Sequence, residues 1–146
     1  MTTALVVDVC VSAAWMLPDE RSTLADELLQ RILAGEFRLV LPEIWQLESL
    51  NALRNLLVRR RLTLDELELA LDFLDQLPIE IVSTPAKDRR TLMRLAREHG
   101  LTPYDAAYFH VAQSHGLHLL TADQDLLRLR EQFPWIKGLH EFGAPA

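Results

Sequence analysis

"ALVVDV", Ala4 to Val9, is the stretch that decides the fold. Its apolar run is short and continuous, the pattern of a strand buried inside a sheet. Working outward, "STLADELLQRILAGE" follows as a capped amphipathic helix ending near Gly35, and "FRLVLP" as a second strand stopped by Pro42. The spacing predicts a helix from Glu43 to about Arg60. Thr63 and Glu66 form a capping box that opens another, which closes before Pro78. "IEIV", Ile79 to Val82, reads as a third strand, and Ala86 to His99 as a helix with Gly100 behind it. Thr102 to His115 reads as a helix leading into a fourth strand, "LHLLTAD". A short helix over Gln124 to Arg130 and a last strand near Trp135 to Leu139 complete the pattern. Strands alternating with helices imply βαβ units, hence an α/β fold: a three-layer α/β/α sandwich around a mostly parallel sheet.

Composition does not divide the chain. With 146 residues, 49% hydrophobic and 25% charged, it is long enough to bury about two-thirds of its unfolded surface in one core. One domain over residues 1–146 is expected. The prolines and glycines are scattered, without a repeat or linker. Cys10, the lone cysteine, has no intrachain disulfide partner, which fits a reducing compartment. The N-terminus lacks a basic segment and Asp8 interrupts its apolar run, so it makes a poor signal peptide. No apolar stretch approaches the roughly 20 residues of a membrane span, and a soluble cytoplasmic protein is expected. The net charge of −6 argues against a broadly basic nucleic-acid binder. Positive charge is nonetheless concentrated in "RNLLVRRR" (Arg54 to Arg61) and "KDRRTLMRLAR" (Lys87 to Arg97), each also explicable as a solvated helix face.

Ligands of such sheets bind at the carboxyl ends of the strands. Asp8 closes "ALVVD" and Asp123 closes "LHLLTAD", so a sheet that joins these strands sets two carboxylates at one rim. Capping of a following helix is the local alternative for either residue. Asp105, in "LTPYDAAYFHVA" (Leu101 to Ala112), has a local explanation too: Thr102 caps, Pro103 fits the first turn, and an acid three places after the cap completes a capping box. In the helix after Pro42, a turn of 100° per residue aligns Ile44, Glu48, Asn51, Asn55 and Arg59, with Leu50, Leu53 and Leu57 roughly opposite. That polar stripe either faces solvent or lines a cleft.

Taken in order, "VVDVCVSAAW", "LPEIWQLESLNALR", "LTPYDAAYFHVA" and "LLTADQDLL" resemble the motifs of the PIN-domain family, specifically the VapC-type toxins of bacterial toxin–antitoxin pairs. The resemblance covers nearly the whole chain. It implies a magnesium-dependent endoribonuclease site on Asp8, Glu48, Asp105 and Asp123, an RNA substrate, a cognate antitoxin and frequent homodimerisation. Four carboxylates brought together repel one another and are tolerable chiefly beside a divalent cation; oxygen ligands suit Mg²⁺ or Mn²⁺. Such a cation activates water and stabilises charge on a phosphate, so phosphodiester hydrolysis suits the set. Asp8, Asp105 and Asp123 are expected to bind metal directly or through water, and Glu48 to bind metal or orient the attacking water.

Around these acids, Thr121 matches a hydroxyl position before the last acid, and Asn51 lies on the stripe of Glu48. Arg54, Arg59, Arg60 and Arg61 are candidate phosphate contacts. Cys10 occupies a place where relatives usually carry Ser or Thr; Ser12 is close in sequence, and Asp125 reads as an exposed first-turn residue. Other chemistries are less well served. A haloacid-dehalogenase-like phosphatase usually carries a second aspartate where Cys10 stands. No G-x-G-x-x-G follows the first strand. His110, His115 and His118 lack the partners of a zinc site, and Cys10 lacks a base nearby in sequence to act as a nucleophile. A catalytically inactive PIN-like module that binds a protein or RNA is the alternative from a different class. "LTLDELELALDFL" offers a leucine-rich face to a partner or to the core.

Overall fold

The computed structural model describes residues 2–17 and 22–142. The strands are β1 (Thr3–Val7), β2 (Phe37–Pro42), β3 (Ile79–Val82), β4 (Leu119–Thr121) and β5 (Ile136–Gly138). The helices are α1 (Val9–Ala13), α2 (Thr23–Leu33), α3 (Ile44–Val58), α4 (Leu64–Gln76), α5 (Arg89–His99), α6 (Pro103–His115), α7 (Gln124–Leu127) and α8 (Leu139–Phe142). The strands pair in the order β3-β2-β1-β4-β5, every pair parallel. The chain steps outward from β1 through β2 to β3, then returns past β1 to β4 and β5. Right-handed crossovers therefore put α1–α4 on one face and α5 and α6 on the other. This is the α/β/α sandwich expected from the sequence.

The central strands are apolar throughout because both faces are covered. Leu5, Val6, Val7, Leu39, Val40, Leu41, Leu119 and Leu120 are all buried in one core with Leu28 and Ile32 of α2. Helix α6 lies between the sheet and α5, which is why it buries residues around much of its girth, Ala106, Ala107, Tyr108, Phe109, Val111 and Ala112. Truncating a side chain as deeply held as Phe109 costs about 3–5 kcal/mol. A second cluster, Ala13, Leu17, Leu53 and Leu56, takes up Leu67, Leu71 and Leu74 of α4.

The register positions the site. Val6 and Val7 pair with Leu119 and Leu120, and the Asp8 N–H donates to Leu120 O at 3.2 Å. Asp8 and Thr121 are thereby brought side by side at the carboxyl rim.

Several boundaries correct the sequence reading. Strand β1 stops at Val7, and Val9 begins α1, the following helix that Asp8 was weighed to cap; Asp8 caps it by accepting from Val11 N at 3.3 Å. Strand β4 ends at Thr121, so Asp123 stands beyond it as the cap of α7, which stops at Leu127. Residues 86–99 divide into a 3₁₀ turn, Ala86–Asp88, and α5. Helix α8 occupies a stretch where no helix was expected. On α3 the buried residues are Trp45, Ser49, Leu53 and Leu56. Leu50, placed on the apolar side by spacing, is 45% exposed: the second cluster and the sheet draw the buried face round towards Trp45 and Ser49.

Candidate active site

In a doubly wound sheet the crevice opens where the strand order reverses, here between β1 and β4. Asp8 leaves the end of β1 and is 3% exposed. Its Oδ2 accepts from the Thr121 hydroxyl and its Oδ1 from Val11 N. Thr121 Oγ1 in turn accepts from Asp123 N at 2.9 Å, so one hydroxyl ties both aspartates to the strand end. Asp123 Oδ1 caps α7, accepting from Asp125 N at 2.7 Å and Leu126 N at 3.3 Å. Capping and a place at the rim are therefore compatible. The same holds at α6, where Asp105 N donates to Thr102 Oγ1 at 3.1 Å, the forward half of the anticipated box.

Glu48, half-buried on α3, approaches from the opposite side. The Tyr108 hydroxyl of α6 donates to its Oε1 at 2.7 Å. The sequence reading missed this tyrosine. Its one signal was position: three residues after Asp105, it shares that helix face.

Electrostatics show how the acids are grouped. Burial pushes the Asp8 carboxyl up to about 6, against the lowering effect of its Thr121 and Val11 bonds, and repulsion from Asp123 adds to the rise. Burial also raises Asp105, with Asp123 and Asp125 repelling it, and raises Glu48, with Asp105 repelling it. Tyr108 is held far above the usual phenol range by burial and the Glu48 charge, so it remains a donor. Cys10 feels all four carboxylates. Burial of its thiol first, then Asp8, Asp123, Asp105 and Glu48, push it up to about 12. Although the residue has an exposed side, the thiol remains protonated and is no nucleophile.

Other candidates fall elsewhere. Ser12 Oγ accepts from Trp45 Nε1 at 2.9 Å in the core and does not replace the hydroxyl missing at Cys10. Asn51 is exposed one turn beyond Glu48. Asp125, exposed as expected, pairs with Arg128 at 3.2 Å. Arg59, Arg60 and Arg61 follow the end of α3, about 16 Å along the helix axis from Glu48, with Arg54 between; the fold does not gather them with the acids. His110 pairs with Asp88, His115 bonds Val111 O, and His118 packs on Phe142, in separate surroundings.

Comparison with known proteins places this geometry. The PIN domain family profile matches residues 5–132. The chain belongs to the PIN-domain family. This PIN domain is 34% identical over 137 residues to "Ribonuclease VapC3" of Pyrobaculum aerophilum, covering 89% of this chain and 95% of that one. It is 46% identical over 48 residues to "Exonuclease VapC9" of the same organism, covering 33% and 35%. Among solved structures, PAE2754 from Pyrobaculum aerophilum superposes with a TM-score of 0.65 at 23% identity, covering 97% and 95%, which supports the fold. VapC-type relatives and an aspartate-free position 10 together set aside the phosphatase alternative.

The donor chemistry of this PIN site is all oxygen. Among the described residues no three His, Cys, Asp or Glu side chains stand close enough to hold a metal ion between them, so a cation here would keep water in much of its shell. That arrangement fits Mg²⁺, which keeps several waters and takes one or two carboxylates directly. It does not fit a structural zinc centre.

Proposed function

We propose that this PIN domain, a single domain over residues 1–146, is an endoribonuclease that hydrolyses RNA phosphodiester bonds as the toxin of a toxin–antitoxin pair. The observation that carries the reading is the meeting of Asp8, Glu48, Asp105 and Asp123 from separate elements at one rim. Asp8, Asp105 and Asp123 hold Mg²⁺, or Mn²⁺ in its place, directly or through water. When bound, the metal lowers the pKa of a water and offsets charge on the scissile phosphate. Thr121 fixes Asp8 and Asp123 to one strand end, its hydroxyl donating to Asp8 and accepting from Asp123 N. Glu48, steadied by Tyr108, orients the attacking water and accepts its proton.

An antitoxin and a second copy of the chain are the proposed protein partners, in the cytoplasm. Leu47 and Tyr104, 64% and 58% exposed, border a cavity of about 450 Å³ lined also by Ile44, Leu92, Pro103 and Ala107, an apolar surface suited to association. Among the described residues no helix is long and apolar enough to cross a membrane.

The test compares the protein with its Asp105→Asn variant on a pool of cellular RNAs, with Mg²⁺, with Mn²⁺ and with chelator, both being shown folded. Discrete cuts that need metal and vanish in the variant are expected. Equal cutting by both would sink the assignment.

A further inference from the structure

Helix α5 carries the second basic run, "RRTLMRLAREH". Leu92, Leu95 and Ala96 face the core, which turns Arg90, Arg94 and Arg97 outward. Spaced by four and three residues, they form one stripe with steps of about 6 and 4.5 Å along the axis. With Met93, 60% exposed, they line an open hollow of about 380 Å³. Four other arginines are paired: Arg31 with Glu36, Arg38 with Glu80, Arg128 with Asp125, Arg130 with Glu141. Arg94 has only an exposed pair with Glu98 at 3.5 Å, which is worth little. Arg90 and Arg97 have no ion-pair partner among the described residues.

The stripe leads to the acids. The last residue of α5, His99, accepts through its carbonyl from Arg128 Nη2 at 3.1 Å, and Arg128 Nη1 donates to Asp125 Oδ1 at 3.2 Å. Asp125 N in turn donates to Asp123 Oδ1 at 2.7 Å, so the chain of contacts reaches the acid rim. A rim of carboxylates on a chain of net charge −6 repels phosphate, so an RNA strand needs cations on its approach. The arginines after α3 stand about three turns from Glu48, whereas α5 ends at the rim.

We propose that Arg90, Arg94 and Arg97 are a phosphate-binding track that leads a single-stranded RNA across α5 to the acid rim. The inference rests on the ribonuclease reading above. Arginine suits it, since its planar fork pairs with phosphate in two bonds, and Met93 gives a sugar or base an apolar surface.

The test measures binding of a labelled single-stranded RNA oligonucleotide in chelator, across a salt series, and cleavage kinetics in Mg²⁺. The proteins are the parent, R90A/R94A/R97A, R90K/R94K/R97K, and R38A at the opposite end of the sheet, matched for folding by circular dichroism. In the triple alanine variant Kd is expected to rise roughly tenfold or more at low salt, and the slope of log Kd against log salt to flatten by about 2. KM rises while kcat holds. The lysine variant keeps most of the binding, and R38A keeps all of it. Parent-like Kd, slope and KM in the triple alanine variant, with the parent still cutting RNA, overturn the track and leave the ribonuclease reading standing. A parent that neither binds nor cuts RNA removes both. Intact RNA binding with loss of a protein partner assigns the stripe to protein docking and also overturns the track.

Discussion

The Tyr108 hydroxyl donates to Glu48 Oε1 at 2.7 Å, joining α6 to α3 across the acid rim. Neither residue was tied to the other by sequence spacing, yet this bond holds down the pKa of a carboxyl that burial pushes up. Tyr108→Phe keeps the packing and removes the donor. Cleavage is expected to fall roughly tenfold, in line with losing a charge-assisted hydrogen bond of about 1.5 kcal/mol. Because Glu48 then ionises at higher pH, the acid limb of the pH–rate profile moves upward. An unmoved profile would count against Glu48 as a base.

Asp8 binds its proton more tightly when folded, near pH 6, than at its ordinary value of 3.8. The metal-free protein is therefore most favoured, as far as Asp8 is concerned, below about pH 4. It loses stability as the pH rises through 6, by roughly 3 kcal/mol in all. Burial of Glu48 and Asp105 acts in the same direction. Asp8→Asn abolishes cleavage but is expected to melt higher than the parent near neutral pH in chelator, with the advantage gone below pH 4. Thermal melts across pH read this directly.

Adding Mg²⁺ at neutral pH should offset the same repulsion. At a concentration about a hundredfold above its Kd, a single bound ion contributes about 2.7 kcal/mol, a rise of several degrees in Tm that chelator reverses. Asp105→Asn should show a smaller rise. An equal rise in both would mean that the ion binds elsewhere.

Cys10 has an exposed side but a thiol pushed up to about 12. Alkylation by iodoacetamide should run far below the rate of a free thiol at pH 8 and accelerate only in strong alkali. Cys10→Ser restores a hydroxyl at that place and should retain cleavage. Fast labelling of the folded parent would contradict the burial and the acidic surroundings of Cys10.

Arg60 follows α3 with φ of +55°, a left-handed conformation unusual outside glycine, while Arg61 N closes on Leu56 O at 2.9 Å. Arg60→Gly should stabilise by about 1 kcal/mol. Urea melts test that, and unchanged RNA affinity in the same variant would remove Arg60 from the candidate contacts.

Local signals marked the places of three acids, Asp8 after a buried strand, Asp105 behind Thr102 and Pro103 and Asp123 after "LLTA", but each had a capping explanation, and it was the family resemblance that grouped them with Glu48. Tyr108 was not, since a tyrosine in an alanine-rich helix looks like core until its hydroxyl finds a partner from another element. Helix α1 was foreshadowed only as the helix that Asp8 could cap, because "VCVSA" has the composition of a strand, and bonds from Val11 N and Ser12 N back to Asp8 turn it. Ser12 lay close enough to suggest a replacement hydroxyl, but Trp45, distant in sequence, claims it. What escaped the reading was tertiary pairing rather than propensity.

The pairing of β1 with β4 also bears on synthesis. Val6 and Val7 meet Leu119 and Leu120, and the hydroxyl that fixes Asp8 belongs to Thr121. On a ribosome, β1 emerges early and waits unpaired on that edge until β4 clears the exit tunnel, beyond residue 121. The rim that Asp8 shares with Thr121 therefore cannot assemble on a ribosome until β4 has left the exit tunnel.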